Sequence, residues 1–365
     1  MSPVRPQRGL ADVRPYVPGK PIEEVQREYG LTDIVKLASN ENPLGPSPRA
    51  MRALAEEVPR LHLYPDGDSY DLRHALARHL GVRPEQVTVG NGADGIIVQT
   101  CLAYLDDGDE VIVGRPSFPL YDTYTHVMRA RLVPVPLQDD RLDLEGMAAA
   151  ITDRTKLIFV CNPNNPTGTI VTANEVSAFM ARVPDHVLVV FDEAYYEFVH
   201  ADDFPDTLAY IREGRKNVLT IRTFSKIYGL AGVRLGYAVA DPEVLAPLLK
   251  VKEPFAVNRL AQAAGIAALE DDGFLEATIA ATTNGRQFIC RGVRRLGLSC
   301  VPSHTNFILV RVGPRAGEVA QRLLERGIIV RPCDLYGLPE FLRITVGTPK
   351  QNARLISDLE EILKE

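Results

Sequence analysis

Apolar residues come in two textures along this chain. From residue 49 to about 255, short apolar runs recur between longer amphipathic stretches. The runs are Gln86–Val89, Glu110–Val113, Arg131–Val135, Lys156–Val160, Val187–Phe191, Val218–Ile221 and Gly236–Ala240. Past polar first residues such as Gln86, Glu110, Arg131 and Lys156 they are mostly β-branched and apolar, the pattern of strands covered on both faces. Helical periodicity fills the intervals, as in Ser69–Leu80 and Glu175–Ala181. This alternation predicts an α/β fold with a mostly parallel central sheet.

The flanks differ. Residues 1–48 carry prolines at 3, 6, 15, 18, 21, 43, 46 and 48, which forbid long regular elements. An extended arm with one short helix at Ile22–Tyr29 is expected. From about residue 256 long helical stretches take over, Arg259–Leu269 and another ending near Leu296. Strands at Asn306–Val312, Ile328–Arg331 and Phe341–Val346 and helices at Ala316–Arg326 and Gln351–Leu363 complete the chain. The expected division is an arm (1–48), a large domain (49–255) and a smaller α+β domain (256–365).

Composition narrows the function. The chain has 365 residues, 45% hydrophobic and 24% charged, with a net charge of −6. That is ordinary globular composition. The acidic balance argues against nucleic-acid binding, which needs clustered positive charge. No apolar stretch is long enough for a membrane helix, and the first residues show no secretory h-region, so a cytoplasmic protein is expected. The five cysteines, with no CxxC spacing, read as free thiols in a reducing compartment and not as a disulfide framework or metal site.

Polar segments follow the apolar runs, where open α/β sheets bind ligands. They are Gly90-Asn91-Gly92-Ala93-Asp94, Cys161-Asn162-Pro163-Asn164-Asn165-Pro166-Thr167-Gly168, Phe191-Asp192-Glu193-Ala194-Tyr195, Thr223-Phe224-Ser225-Lys226 and Gly229–Tyr237. Singly, each has a bland reading as a turn, a helix cap or a solvated lysine. Together they match what pyridoxal 5′-phosphate requires. The cofactor needs a lysine for a Schiff base, here Lys226. It needs a carboxylate beside the pyridine nitrogen, here Asp192. Asn165 and Tyr195 can serve its O3′. Its phosphate needs a helix N-terminus, hydroxyls and an arginine, offered by Gly92, Ala93, Asp94, Thr223, Ser225 and Arg234. Phe118, in Arg115-Pro116-Ser117-Phe118, offers an aromatic face for the ring.

Over nearly its whole length the chain resembles the fold-type-I pyridoxal-phosphate aminotransferases, in their histidinol-phosphate branch. The resemblance rests on Pro15–Pro21, on Lys36-Leu37-Ala38-Ser39-Asn40-Glu41-Asn42-Pro43-Leu44-Gly45, on Tyr64-Pro65-Asp66, on Thr223–Tyr237 and on Phe341–Gly347. It implies that Lys226, Asp192 and Tyr195 are the catalytic group. It implies that Arg343, assisted by Arg331, takes the substrate's anionic groups, with Asn165 and Tyr16 beside them. It implies that Tyr64 reaches the cofactor phosphate of a partner subunit in a homodimer with shared sites. The expected reaction passes an amino group between L-glutamate and imidazole acetol phosphate. An aromatic or broad-specificity aminotransferase is the alternative. Gly95 departs from the family pattern, which usually has an acidic residue there.

Overall fold

The computed structural model describes residues 4–15, 17 and 19–365. Tyr16 lies outside the described residues. Thirteen strands occur among them: β1 (Val35–Lys36), β2 (Val87–Asn91), β3 (Glu110–Arg115), β4 (Arg131–Pro136), β5 (Thr155–Cys161), β6 (Leu188–Asp192), β7 (Val218–Thr223), β8 (Leu235–Ala240), β9 (Ser299–Cys300), β10 (Phe307–Arg311), β11 (Ile328–Ile329), β12 (Arg331–Pro332) and β13 (Phe341–Thr345).

Seven of them form the central sheet in the order β2-β8-β7-β6-β5-β3-β4. Strands β3 to β7 run parallel, and β8 lies antiparallel between β7 and β2. Side chains alternate between two cores. Val189 and Phe191 of β6 enter one, and Leu188 and Val190 the other. Both faces are covered, so apolar residues occupy successive positions. Strand β4 is at the edge, where Pro134 and Pro136 remove donors without breaking an interior ladder.

Local signals start the helices where they are observed. Ser47 accepts from Ala50 N with Pro48 in the first turn, and Thr172 with Glu175 and Thr348 with Gln351 form capping boxes. Helix Arg259–Leu269 packs on Pro48–Glu57 and Tyr70–Leu80, in the core beside the central sheet. Helix Asp272–Arg295 then leads to the second sheet, ordered β12-β13-β10-β9 and antiparallel. Ile308, Val310, Leu342 and Ile344 of that sheet pack with residues of three helices, including Ile289, Val319 and Leu355. Period-two alternation leaves Leu309 and Arg343 on the opposite face.

The expected single strand at Ile328–Arg331 is instead two. Ile328–Ile329 pairs parallel with β1 of the arm, and after Val330 the chain changes sheets, so Arg331–Pro332 pairs with β13. The arm's strand occupies the first half, which frees Arg331 to join the other sheet. The arm then runs on across it: Thr345 N donates to Leu37 O, and Asn40 N donates to Thr345 Oγ1.

Candidate active site

The carboxyl ends of β5, β6 and β7 converge, as strand order in a parallel sheet dictates. Asp192 ends β6 and is 4% exposed. Its Oδ2 accepts from Tyr121 Oη at 2.6 Å and its Oδ1 from Ala194 N at 3.2 Å. Burial raises its carboxyl to about 6, against the pull of those two donors. Among the described residues Asp192 makes no ion pair. A buried carboxylate of this kind suits a cation brought in by a ligand.

Lys226 follows β7. Its Nζ lies 3.4 Å from Ser39 O and 5.9 Å from the centre of the Tyr195 ring. Burial, and then the positive charge of Arg343, lower its amine to about 8. Near neutral pH a usable fraction is therefore the free base. Asn42 of the arm donates to Ile227 O at 2.9 Å and so pins the turn that carries the lysine. Tyr195 is buried, and its hydroxyl accepts from Asn40 Nδ2 at 2.9 Å, which leaves its own proton for a further acceptor. Asn165 is buried, and its Oδ1 accepts from Arg343 Nη1 at 2.6 Å. That bond orients the amide so that its NH2 group is the donor on the other side.

An anion cup closes one end. Helix Gly92–Tyr104 begins directly after β2, and its N-cap residue Asn91 provides no side-chain cap. The first N–H groups are left for a ligand. Gly92 has φ +71°, and a Cβ there would lie 2.7 Å from Arg234 Nη2. A Cβ on Gly236 would lie 2.4 Å from Ala93 N. Only glycines let this turn settle onto β8 beside the guanidinium. Arg234 Nη2 also pairs with Asp94 Oδ2 at 3.0 Å. Thr223 Oγ1 and Ser225 Oγ are 3.1 Å apart at the end of β7. The residues present thus fit a phosphorylated, cationic aromatic group, with an anion cup at one place and a buried carboxylate at another. Phe118 is half-buried and meets Tyr121 edge to face at 5.7 Å.

Arg343 and Arg331 come from the second sheet, as register partners on β13 and β12. Both are buried. Arg343 Nη2 donates to Ala38 O at 2.8 Å, and Nη1 reaches Tyr336 Oη at 3.3 Å as well as Asn165. Arg331 Nη2 donates to Val17 O at 2.7 Å, in the arm segment next to Tyr16. Tyr64 is not brought to this group within one chain. It is 77% exposed, with its ring stacked on Phe255 at 4.5 Å. Gly95 is not sterically required, since a Cβ there would find its nearest neighbour at an ordinary 3.5 Å.

Three further residues shape the site: Tyr121 through Asp192, Asn40 through Tyr195 and Tyr336 through Arg343. Asn40 sits in the Ser39-Asn40-Glu41-Asn42 run, which was the available signal. Tyr121 could be read from the sequence as lining the substrate pocket or as simply packing, and the bond to Asp192 is what the fold adds. Glu193, beside Asp192, joins Arg222 in a buried pair at 2.8 Å and ties β6 to β7.

Comparisons with known proteins agree with this geometry. Residues 32–359 match the model of the family described as aminotransferase class I and II. The histidinol-phosphate aminotransferase of Moorella thermoacetica is 50% identical over 357 residues, spanning 98% of this chain and 92% of the relative. That of Symbiobacterium thermophilum is 47% identical over the full length of both. Among solved structures, histidinol-phosphate aminotransferase from Sinorhizobium meliloti in complex with pyridoxal-5′-phosphate is 33% identical, with a TM-score of 0.92 over 99% of this chain and 98% of that one. The likeness runs through the arm, the seven-stranded sheet and the sheet that carries both arginines, and so the chain belongs to the class I and II aminotransferase family.

Proposed function

We propose that the chain is a histidinol-phosphate aminotransferase of histidine biosynthesis, exchanging an amino group between L-glutamate and imidazole acetol phosphate with pyridoxal 5′-phosphate as cofactor. The observation that carries this reading is the meeting of three features at one place. They are an amine lowered to about 8 at Lys226, a buried carboxylate at Asp192 and two buried arginines opposite each other. When bound, the cofactor supplies a carbonyl that takes up the amino group and a ring that withdraws electrons from the substrate's α-carbon.

The chain's own residues do the rest. Gly92, Ala93 and Asp94, with Thr223, Ser225 and Arg234, hold the phosphate. Asp192 keeps the proton on the pyridine nitrogen, and Tyr121 holds the carboxylate in place. The NH2 group of Asn165 and the hydroxyl of Tyr195 donate to O3′, and Phe118 covers the ring. Lys226 Nζ would hold the cofactor through its amine and, once freed, would take the proton from the substrate α-carbon and carry it across the site. Arg343 grips the carboxylate of glutamate, and Arg331 adds its charge for the phosphate of the other substrate.

A homodimer working in the cytoplasm completes the proposal. Tyr64, Leu61 and Leu63 are exposed apolar side chains in one segment, which suits coverage by a second copy. In that arrangement Tyr64 and its partner-subunit counterpart each serve the other chain's phosphate. The test is 2-oxoglutarate release from glutamate when imidazole acetol phosphate is supplied. Turnover that Lys226→Ala abolishes supports the assignment, and turnover unaffected by that change overturns it.

A further inference from the structure

The five cysteines fall into two groups. Cys101, Cys161 and Cys333 are buried singly, and burial pushes their thiols up, to about 12, 12 and 11. Cys290 and Cys300 are half-buried free thiols whose sulfurs stand 2.7 Å apart. The two sulfurs are therefore in direct contact, with no atom between them. Cys290 lies near the end of helix Asp272–Arg295, and Cys300 ends β9, the two-residue edge strand of the second sheet. A turn through Gly297, at φ +80°, joins the two elements. Burial, and then the neighbouring Cys300, raise the Cys290 thiol to about 12, and the guanidinium groups of Arg294 and Arg286, one helical turn on either side, offset only part of that rise.

We propose that Cys290 and Cys300 form an oxidation site, a dithiol that closes to an intramolecular disulfide by exchange with a small disulfide such as oxidised glutathione. One cysteine thiolate attacks a sulfur of the small disulfide and expels the first glutathione thiolate. The second cysteine, already in contact, attacks the protein sulfur of that mixed disulfide and expels the other. The chain gives up two protons and two electrons, and one oxidised glutathione becomes two reduced ones. Contact between the sulfurs makes the second step intramolecular, so closure outruns accumulation of the mixed adduct. The product staples a short edge strand to the helix packed beside it. Neither sulfur touches the Lys226–Asp192 group, so the inference stands apart from the proposed reaction.

The experiment uses the reduced full-length holoenzyme, incubated with oxidised glutathione at mildly alkaline pH. Two of the five thiols should disappear. The chain mass should fall by two hydrogens, and a non-reducing peptide map should join the Cys290 and Cys300 peptides. Reductant should restore both thiols. The oxidised chain should melt about a few degrees higher than the reduced one, and Cys300→Ser should remove that rise. Cys290→Ser serves the same purpose if Cys300→Ser does not fold. Survival of all five thiols, glutathione retained on either cysteine without closure, or a cross-link between two chains would each overturn the proposal.

Discussion

Arg331 and Arg343 stand directly opposite each other on the antiparallel strands β12 and β13, and both are buried. Like charges in that position repel and destabilise the folded chain. In the proposed reaction, a substrate anion held by both would offset that repulsion. Glutamate offers a carboxylate, and imidazole acetol phosphate a phosphate that spreads up to two charges over three oxygens.

The two arginines should therefore be separable by donor. One charge-assisted hydrogen bond is worth roughly 1.5–3 kcal/mol, or about ten- to a hundred-fold in binding. Arg331→Ala should lose about that much in the half-reaction with histidinol phosphate and clearly less with phenylalanine. Arg343→Lys should weaken every donor, because a point charge does not replace a planar fork that also engages Asn165, Tyr336 and Ala38. Single-turnover spectroscopy of each half-reaction measures both. Equal losses for phosphorylated and unphosphorylated donors in Arg331→Ala would reject phosphate recognition there.

Tyr121→Phe isolates the bond to Asp192. The hydroxyl at 2.6 Å favours the charged carboxylate, so its removal raises that carboxyl further. Cofactor affinity falls where Asp192 protonates, and in the variant this fall should begin roughly one unit higher in pH. Equilibrium titration of cofactor against pH reads it. An unshifted profile would reduce Tyr121 to its stacking on Phe159.

Asp192 also marks stability. In the cofactor-free chain its carboxyl is raised from 3.8 to about 6 by burial. Between those values the folded chain keeps a proton that the unfolded chain has lost, so stability falls as pH rises through the window. Asp192→Asn removes that titration. The stability difference should move toward the variant by about 2–3 kcal/mol from pH 4 to pH 7. Urea unfolding at several pH values tests this, and a difference constant with pH would contradict it.

Composite sites can be detected by subunit exchange. Tyr64→Ala and Lys226→Ala chains should each be impaired alone. Mixed, they should recover activity, because a heterodimer can hold one intact site. No recovery after demonstrated exchange would exclude a shared site built on Tyr64.

Much of the central sheet was legible before the structure. The runs at Lys156–Val160 and Val218–Ile221 correspond to β5 and β7, because strands buried on both faces are apolar at most positions, Lys156 and Thr220 being the polar residues of these two runs. The direction of β8 was not legible, since an apolar run carries no sign of which way its neighbours run. Nor was the change of partner at Val330, where two-residue strands leave no periodicity to read. Lys226 and Asp192 stood out because strand ends with chemistry-bearing residues are readable locally. Tyr121 on Asp192 and Asn40 on Tyr195 join residues 71 and 155 positions apart, and only the fold brings those pairs together.

The most direct test is a steady-state comparison of amino acceptors with glutamate as donor. Imidazole acetol phosphate should exceed phenylpyruvate and 4-hydroxyphenylpyruvate in kcat/KM by about tenfold or more, since only it engages Arg331 through a phosphate. Equal values, or a preference for the phenyl compounds, would contradict this and make the chain an aromatic aminotransferase.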